Sequence, residues 1–150
     1  MTTFLVMGLG LQGTAAAHDL IVNGIAGDAS SRILLMDNDS RRLQAARERL
    51  FALTGCGQME TIVAEAPLEA AAPEADAFRE ALHAADAALN GLPYRYSQAL
   101  TELALDSGCH LADLGGNTAI VRGQLDTAAR HWAGKTTAIL QLVSKLALLL

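Results

Sequence analysis

The stretch that most limits what this chain can fold into is Phe4–Gly13, FLVMGLGLQG, where an apolar run ends on glycines spaced G-x-G-x-x-G at Gly8, Gly10 and Gly13. Phe4, Leu5, Val6 and Met7 read as a buried strand of a parallel sheet. Thr14–Val22, TAAAHDLIV, reads as the helix after the turn. Each glycine meets a steric demand of a turn that holds a dinucleotide. Gly8 permits the tight exit from the strand, Gly10 lets the backbone approach a pyrophosphate, and Gly13 lets the helix pack close to the strand. The helix then offers unpaired N–H groups and its positive dipole end around Leu11 and Gln12.

A glycine pattern alone also fits an ordinary strand-to-helix turn, so its surroundings decide. Ile33–Met36, ILLM, is a second apolar strand, and Asp37 stands at its end, twenty-four positions beyond Gly13. A carboxylate there accepts hydrogen bonds from both hydroxyls of an adenosine ribose. Strand, glycine turn, helix and acid together predict a dinucleotide cofactor. The charge of Asp37 repels a 2′-phosphate and favours NAD, with NADP the second possibility because Arg41 and Arg42 lie one helical turn on. Taken alone, those arginines read as a solvated helix face.

The bulk properties narrow the alternatives. At 150 residues the chain reads as one domain, 1–150, large enough for its own core. Apolar residues make up 51% and aromatics only 4%, which suits an alanine-rich α/β domain. A net charge of −5 without a basic cluster argues against a nucleic-acid partner. Cys56 and Cys109 lack ligand or C-x-x-C spacing and read as inert thiols in a reducing compartment. His18, His83, His110 and His131 are scattered, so no metal site is predicted. The N-terminus has no basic leader and its apolar run is broken by glycines, which points to the cytoplasm. Thr137–Leu150 is apolar but interrupted by Gln141, Ser144 and Lys145. It is too short and polar for a membrane span and suits self-association, as in a homodimer.

The rest of the chain alternates. Ser40–Leu53 reads as a helix with Asp39 or Ser40 as N-cap, Glu60–Ala64 as a third strand, and the acidic, alanine-rich Glu65–Ala77 as a loop leading to a helix through His83. Ala84–Leu89 reads as a fourth strand on the alternation alone, since its composition favours helix. Asn90-Gly91-Leu92-Pro93 is a turn, and Ser97–Ser107 a helix with an N-cap serine, stopped by Gly108. Cys109–Leu114 is a fifth strand closed by Gly115 and Gly116, Gln124–Trp132 a helix, and Thr136–Leu142 a sixth strand. The alternation predicts an α/β fold, a doubly wound parallel sheet in three αβα layers, Rossmann-like. In such a sheet ligands bind outside the carboxyl ends of the strands, which is where both later glycine turns fall.

Those residues carry a family resemblance. MGLGLQGTAAAHDL, LLMDND around Asp37, and above all Asn90–Val121, NGLPYRYSQALTELALDSGCHLADLGGNTAIV, resemble the NAD(P)-binding domain of saccharopine dehydrogenase-like enzymes, with lysine ε-dehydrogenases as the nearest members. In that family an Asn-containing turn ends the fourth strand, and a later strand ends in Asp-Leu-Gly-Gly. The likeness runs from Phe4 to about Leu140. It implies that Gly8, Gly10, Leu11, Gln12 and Gly13 hold the pyrophosphate and Asp37 the adenosine ribose. It places Asn90, Gly91 and Pro93 on the nicotinamide-ribose side, and Asp113, Gly115 and Gly116 near nicotinamide and substrate.

The activity implied is that of an NAD(P)-dependent oxidoreductase acting on a C–N bond of an amino acid, in lysine metabolism. Family members carry a second domain that binds the amino-acid substrate. The sequence departs from the family at Ala64-Glu65-Ala66, where relatives carry polar residues beside the adenine. It also stops at Leu150, which leads us to expect a truncated cofactor-binding half. Two other readings stand beside this one. A non-catalytic dinucleotide-binding or interaction module binds cofactor without turnover. A methyltransferase fits the first glycine turn and Asp37 but leaves Asp-Leu-Gly-Gly unexplained. Tyr94, Tyr96 and Asp113 have structural roles as readily as chemical ones, and no catalytic acid or base is assigned.

Overall fold

Leu5 and Val6 are both fully buried yet belong to separate cores, because successive residues of a strand face opposite sides of its sheet. The computed structural model describes residues 1–25, 27–114, 116–131 and 138–139. Its strands are β1 (Thr3–Met7), β2 (Arg32–Asp37), β3 (Met59–Val63), β4 (Ala87–Asn90), β5 (His110–Asp113) and β6 (Ala138–Ile139). All pair in parallel, in the order β3-β2-β1-β4-β5-β6. The chain winds outward from β1 in one direction and then in the other, as the alternation predicts.

Helices α1 (Leu11–Asp19) and α2 (Ser40–Thr54) cover one face, burying Ala17, Leu43, Ala46 and Leu50 against Val6, Ile33 and Leu35. Helices α3 (Ala75–His83) and α4 (Ser97–Ser107) cover the other, where Phe78, Leu82, Leu100 and Leu103 meet Leu5, Met7, Leu34 and Met36. Each such aliphatic side chain contributes roughly 1.5–3 kcal/mol when fully buried. Helix α5 (Thr118–His131) packs on α4 through polar contacts, with Gln98 Nε2 donating to Thr127 Oγ1 at 2.6 Å. No helix among the described residues is long and apolar enough to cross a membrane.

Several boundaries differ from expectation. Helix α1 starts at Leu11, not Thr14, because the extended backbone of Gly10 ends the turn there, and it passes into a π-helical segment over Leu20–Ile25. The fourth strand is shorter than Ala84–Leu89: Ala84 caps α3, and the Ala85 N–H donates to the Leu82 carbonyl. Alanine has little β-propensity, and β4 is held by ladders on both sides, with Ala87 opposite Phe4 and His110. Ser97 opens α4 without capping it. Helix α5 starts at Thr118 rather than Gln124, since Asn117 Oδ1 accepts the N–H groups of Ala119 and Ile120. Apart from Ala138–Ile139, the expected strand Thr136–Leu142 and the apolar tail Thr137–Leu150 lie outside the described residues.

Candidate functional site

The carboxyl ends of β1, β2 and β4 converge on the glycine loop. The Gly8 N–H donates to the Met36 carbonyl and the Gly91 N–H to the Met7 carbonyl, both at 2.8 Å, so the sheet's ladders extend into the loop from either side. Gly8 has φ +87°, and a Cβ there would lie 3.0 Å from the Gly91 carbonyl carbon. A Cβ on Gly13 would lie 1.8 Å from the Gly8 carbonyl oxygen. Gly10 is different, for a Cβ there would meet nothing within 4 Å. Packing therefore requires glycine at Gly8 and Gly13, whereas Gly10 leaves open space beside the amino end of α1. No side chain caps that end, and Leu11 and Gln12 are exposed on it. An uncapped helix amino terminus with room beside it suits an anion.

Asp37, at the end of β2, is only 3% exposed. Its Oδ2 accepts the Leu9 N–H at 2.7 Å and its Oδ1 accepts the Asp39 N–H at 2.9 Å. The half-exposed Arg42 guanidinium stands 3.3 Å from Asp37 Oδ1 and 3.6 Å from Asp39 Oδ2. Asp39 caps α2 by accepting the Arg41 and Arg42 N–H groups at 2.9 and 3.1 Å. The Arg42 N–H bond foremost holds the Asp39 carboxyl below its ordinary range, with the Arg41 N–H and both guanidinium charges adding to it.

A cleft of about 310 Å³ opens beside this carboxylate. Ala64, Glu65 and Ala66 form one side, and the Asn38 amide donates to Glu65 at 3.1 Å. Gly91, Leu92 and Pro93 form the opposite wall, together with Arg95 and Tyr96. The Arg95 guanidinium stacks 4.6 Å from the Tyr96 ring centroid. Sequence reasoning did not single out Leu92, within the turn that ends β4, or Arg95, just after it, although ligand-facing residues gather there. The volume lies at the low end for small-molecule sites, roughly 300–1,000 Å³, and matches a nucleoside better than a whole dinucleotide.

Asn90 and Asp113 do not line this cleft. They are 1% and 2% exposed and lie opposite each other on β4 and β5, facing α4 and α5. Asn90 Nδ2 donates to Asp113 Oδ2 at 3.0 Å and to Ser97 Oγ at 3.1 Å, while Asn90 Oδ1 accepts the Leu92 N–H at 3.0 Å. Gln124 Nε2 donates to Asp113 Oδ2 at 3.0 Å and to Thr101 Oγ1 at 2.9 Å. Gly116, at φ +136°, lies beside half-exposed Tyr94. Gly115 lies outside the described residues.

A more apolar groove of about 610 Å³ runs between α1 and α2, floored by Ala46 and Leu50 and edged by His18, Arg42 and Arg49. Among the described residues no group of three or more His, Cys, Asp or Glu is placed to hold a metal ion.

The family described as the saccharopine dehydrogenase NADP binding domain matches residues 4–139. No curated protein matches the sequence. Among solved structures, the chain is similar to apo saccharopine dehydrogenase (L-Glu forming) from Saccharomyces cerevisiae, at 12% identity and TM-score 0.61, over 95% of this chain and 27% of that one. It is also similar to scyllo-inositol dehydrogenase from Lactobacillus casei with bound NAD(H) and scyllo-inositol, at 17% identity and TM-score 0.64, over 97% and 37%. A shikimate 5-dehydrogenase from Mycobacterium fortuitum gives 19% identity and TM-score 0.61, over 94% and 45%. At these identities the likeness is one of fold, and the chain spans 27–45% of the length of these enzymes.

Proposed function

The chain belongs to the saccharopine dehydrogenase NADP binding domain family, and from that premise we propose that its glycine loop and cleft hold a dinucleotide through the residues now placed. The domain is an NAD(P)-binding one. In this reading Gly8, Gly10, Leu11, Gln12 and Gly13 take the pyrophosphate, Asp37 the adenosine ribose, and Gly91 and Pro93 the nicotinamide-ribose side. The observation that carries the assignment is the open space at Gly10 over the uncapped end of α1, beside the buried carboxylate of Asp37. A side chain at Gly10 would fill the space a phosphate needs, so the residues present fit the group.

We favour NAD over NADP. Asp37 and Glu65 put two carboxylates at the adenosine end of the cleft. The nearest cation, Arg42, is already engaged by Asp37 and Asp39. A 2′-phosphate placed there meets two negative charges and a largely neutralised arginine.

The bound cofactor supplies hydride transfer, and this chain's residues bind and orient it. For the whole protein we propose oxidation or reduction at a C–N bond of an amino acid such as lysine or a saccharopine-like adduct, with substrate held by a second domain. Family membership and the fold shared with saccharopine dehydrogenase support this reading. A reducing, cytoplasmic setting belongs to the same proposal, supported by the free, buried thiols of Cys56 and Cys109.

Calorimetric titration of the chain with NADH and NADPH tests the binding assignment. Saturable NADH binding, tighter than NADPH, with the preference lost in Asp37→Asn, is the expected result. Binding of neither by a chain that melts cooperatively would sink it.

A further inference from the structure

The turn after β4 owes its shape to a carboxylate that never reaches the cleft. The Asn90 amide has two N–H hydrogens, and both are committed to acceptors, Asp113 Oδ2 and Ser97 Oγ. A carboxylate cannot donate, so rotating the amide by half a turn would set oxygen against oxygen at Asp113. The polarity of Asp113 therefore decides which end of the amide faces the turn, and that end is Oδ1, the acceptor of the Leu92 N–H. Gln124 holds the carboxylate in place from α5 through the 3.0 Å bond of its Nε2.

The consequence passes directly to the cleft. Gly91 is wedged against the glycine loop so closely that a Cβ on it would lie 3.2 Å from the Gly8 carbonyl oxygen and 3.5 Å from Gly13 Cα. Gly91, Leu92 and Pro93 form the cleft wall. Backbone meets backbone there, and a misplaced Leu92 has no slack to absorb the error.

We propose that Asp113, with Ser97 and Gln124, is a positioning residue that orients the Asn90 amide and thereby fixes the Gly91–Pro93 wall on the nicotinamide side of the site. The inference rests on the dinucleotide reading of the cleft. It assigns Asn90 and Asp113 no contact with the cofactor.

The test compares the full chain with Asp113→Leu, which removes the acceptor, with the conservative Asp113→Asn, whose Oδ1 can still accept from Asn90 and Gln124, and with the milder Ser97→Ala. Two quantities are read below the melting temperature: hydrogen exchange at the Leu92 amide without ligand, and affinity for NADH and for AMP. In Asp113→Leu, Leu92 protection falls. NADH binding weakens about tenfold, as expected for loss of a buried hydrogen bond, while AMP, which lacks the nicotinamide half, changes by less than about twofold. Ser97→Ala moves both quantities the same way by a smaller factor, and Asp113→Asn retains most of both.

Unchanged Leu92 protection in both Asp113→Leu and Ser97→Ala overturns the inference whether or not any nucleotide binds. Equal weakening of NADH and AMP also overturns it, because that is the mark of a merely structural role. Failure of the unaltered chain to bind NADH counts against the dinucleotide reading, and the nicotinamide-side role falls with it.

Discussion

Asp37 and Leu9 are joined by a 2.7 Å hydrogen bond from the Leu9 N–H to the Asp37 carboxylate, tying the end of β2 to the residue between the first two glycines of the loop. The carboxylate that lines the cleft is thus also a strut of the glycine loop, and its replacement has two separable effects. Asp37→Ala leaves the Leu9 N–H buried without a partner, at a cost of about 1–3 kcal/mol. Asp37→Asn keeps an acceptor for Leu9 and should lose less stability while losing preference for NADH over NADPH. Chemical denaturation beside calorimetry distinguishes the two. Equal stability of the Ala and Asn variants would contradict the strut.

Gly10 and Gly13 should respond differently to the same substitution. Gly13→Ala places a Cβ 1.8 Å from the Gly8 oxygen and forces the backbone apart, so it lowers stability by about 1–3 kcal/mol and removes NADH binding. Gly10→Val meets open space at an ordinary φ of −67° and should melt close to the unaltered chain, yet bind NADH at least about tenfold more weakly. A Gly10→Val variant that binds normally would show that no phosphate sits there.

Asp39 caps α2 through two backbone N–H groups. Asp39→Ala should lower the melting temperature at neutral pH. Its folded-state carboxyl titrates below its ordinary value, so the stabilisation is present above the unfolded value of 3.8 and disappears as the pH falls through the lower folded value. The difference in stability between the unaltered chain and Asp39→Ala, followed from pH 7 downward, should therefore shrink on acidification. A difference that stays constant with pH would exclude the charged cap as its cause.

Cys109 is fully buried, and burial, aided by the charge of Asp86, pushes its thiol from 9.0 up to about 12. The unfolded chain loses this proton first as pH rises, so the thiol's contribution to stability is constant at neutral pH and declines from about 9 towards 12. Denaturation midpoints across that window should fall more steeply for the unaltered chain than for Cys109→Ala. In the native state Cys109 should resist thiolate-selective alkylation at neutral pH.

The glycine loop and Asp37 were legible in the sequence because each is a local matter: a strand, a steric requirement, a charge at a strand end. Asn90 and Asp113 were legible as the ends of strands but not as an inward-facing pair. Their direction depends on the register that sets Met7 beside Asn90 and Asn90 beside Asp113, all on the face of α3 and α4. No single stretch of sequence contains that register. The start of α5 was readable in principle, since Asn117 before Thr118 is an N-cap signal. Ala64-Glu65-Ala66 lines the cleft through its place after β3 rather than through its composition.

The pairing of β1 with both β2 and β4 has a consequence for the nascent chain. Its partner on one side, residues 32–36, is synthesised soon after it, but the partner on the other, residues 87–90, follows about fifty residues later. At translation rates of ~5–20 residues per second that is a delay of a few seconds. For that interval Phe4–Met7 presents an apolar edge to the crowded surroundings of the ribosome, open to pairing with other chains. A strand that ends up central in the sheet is thus one whose early exposure makes it a natural client for a chaperone.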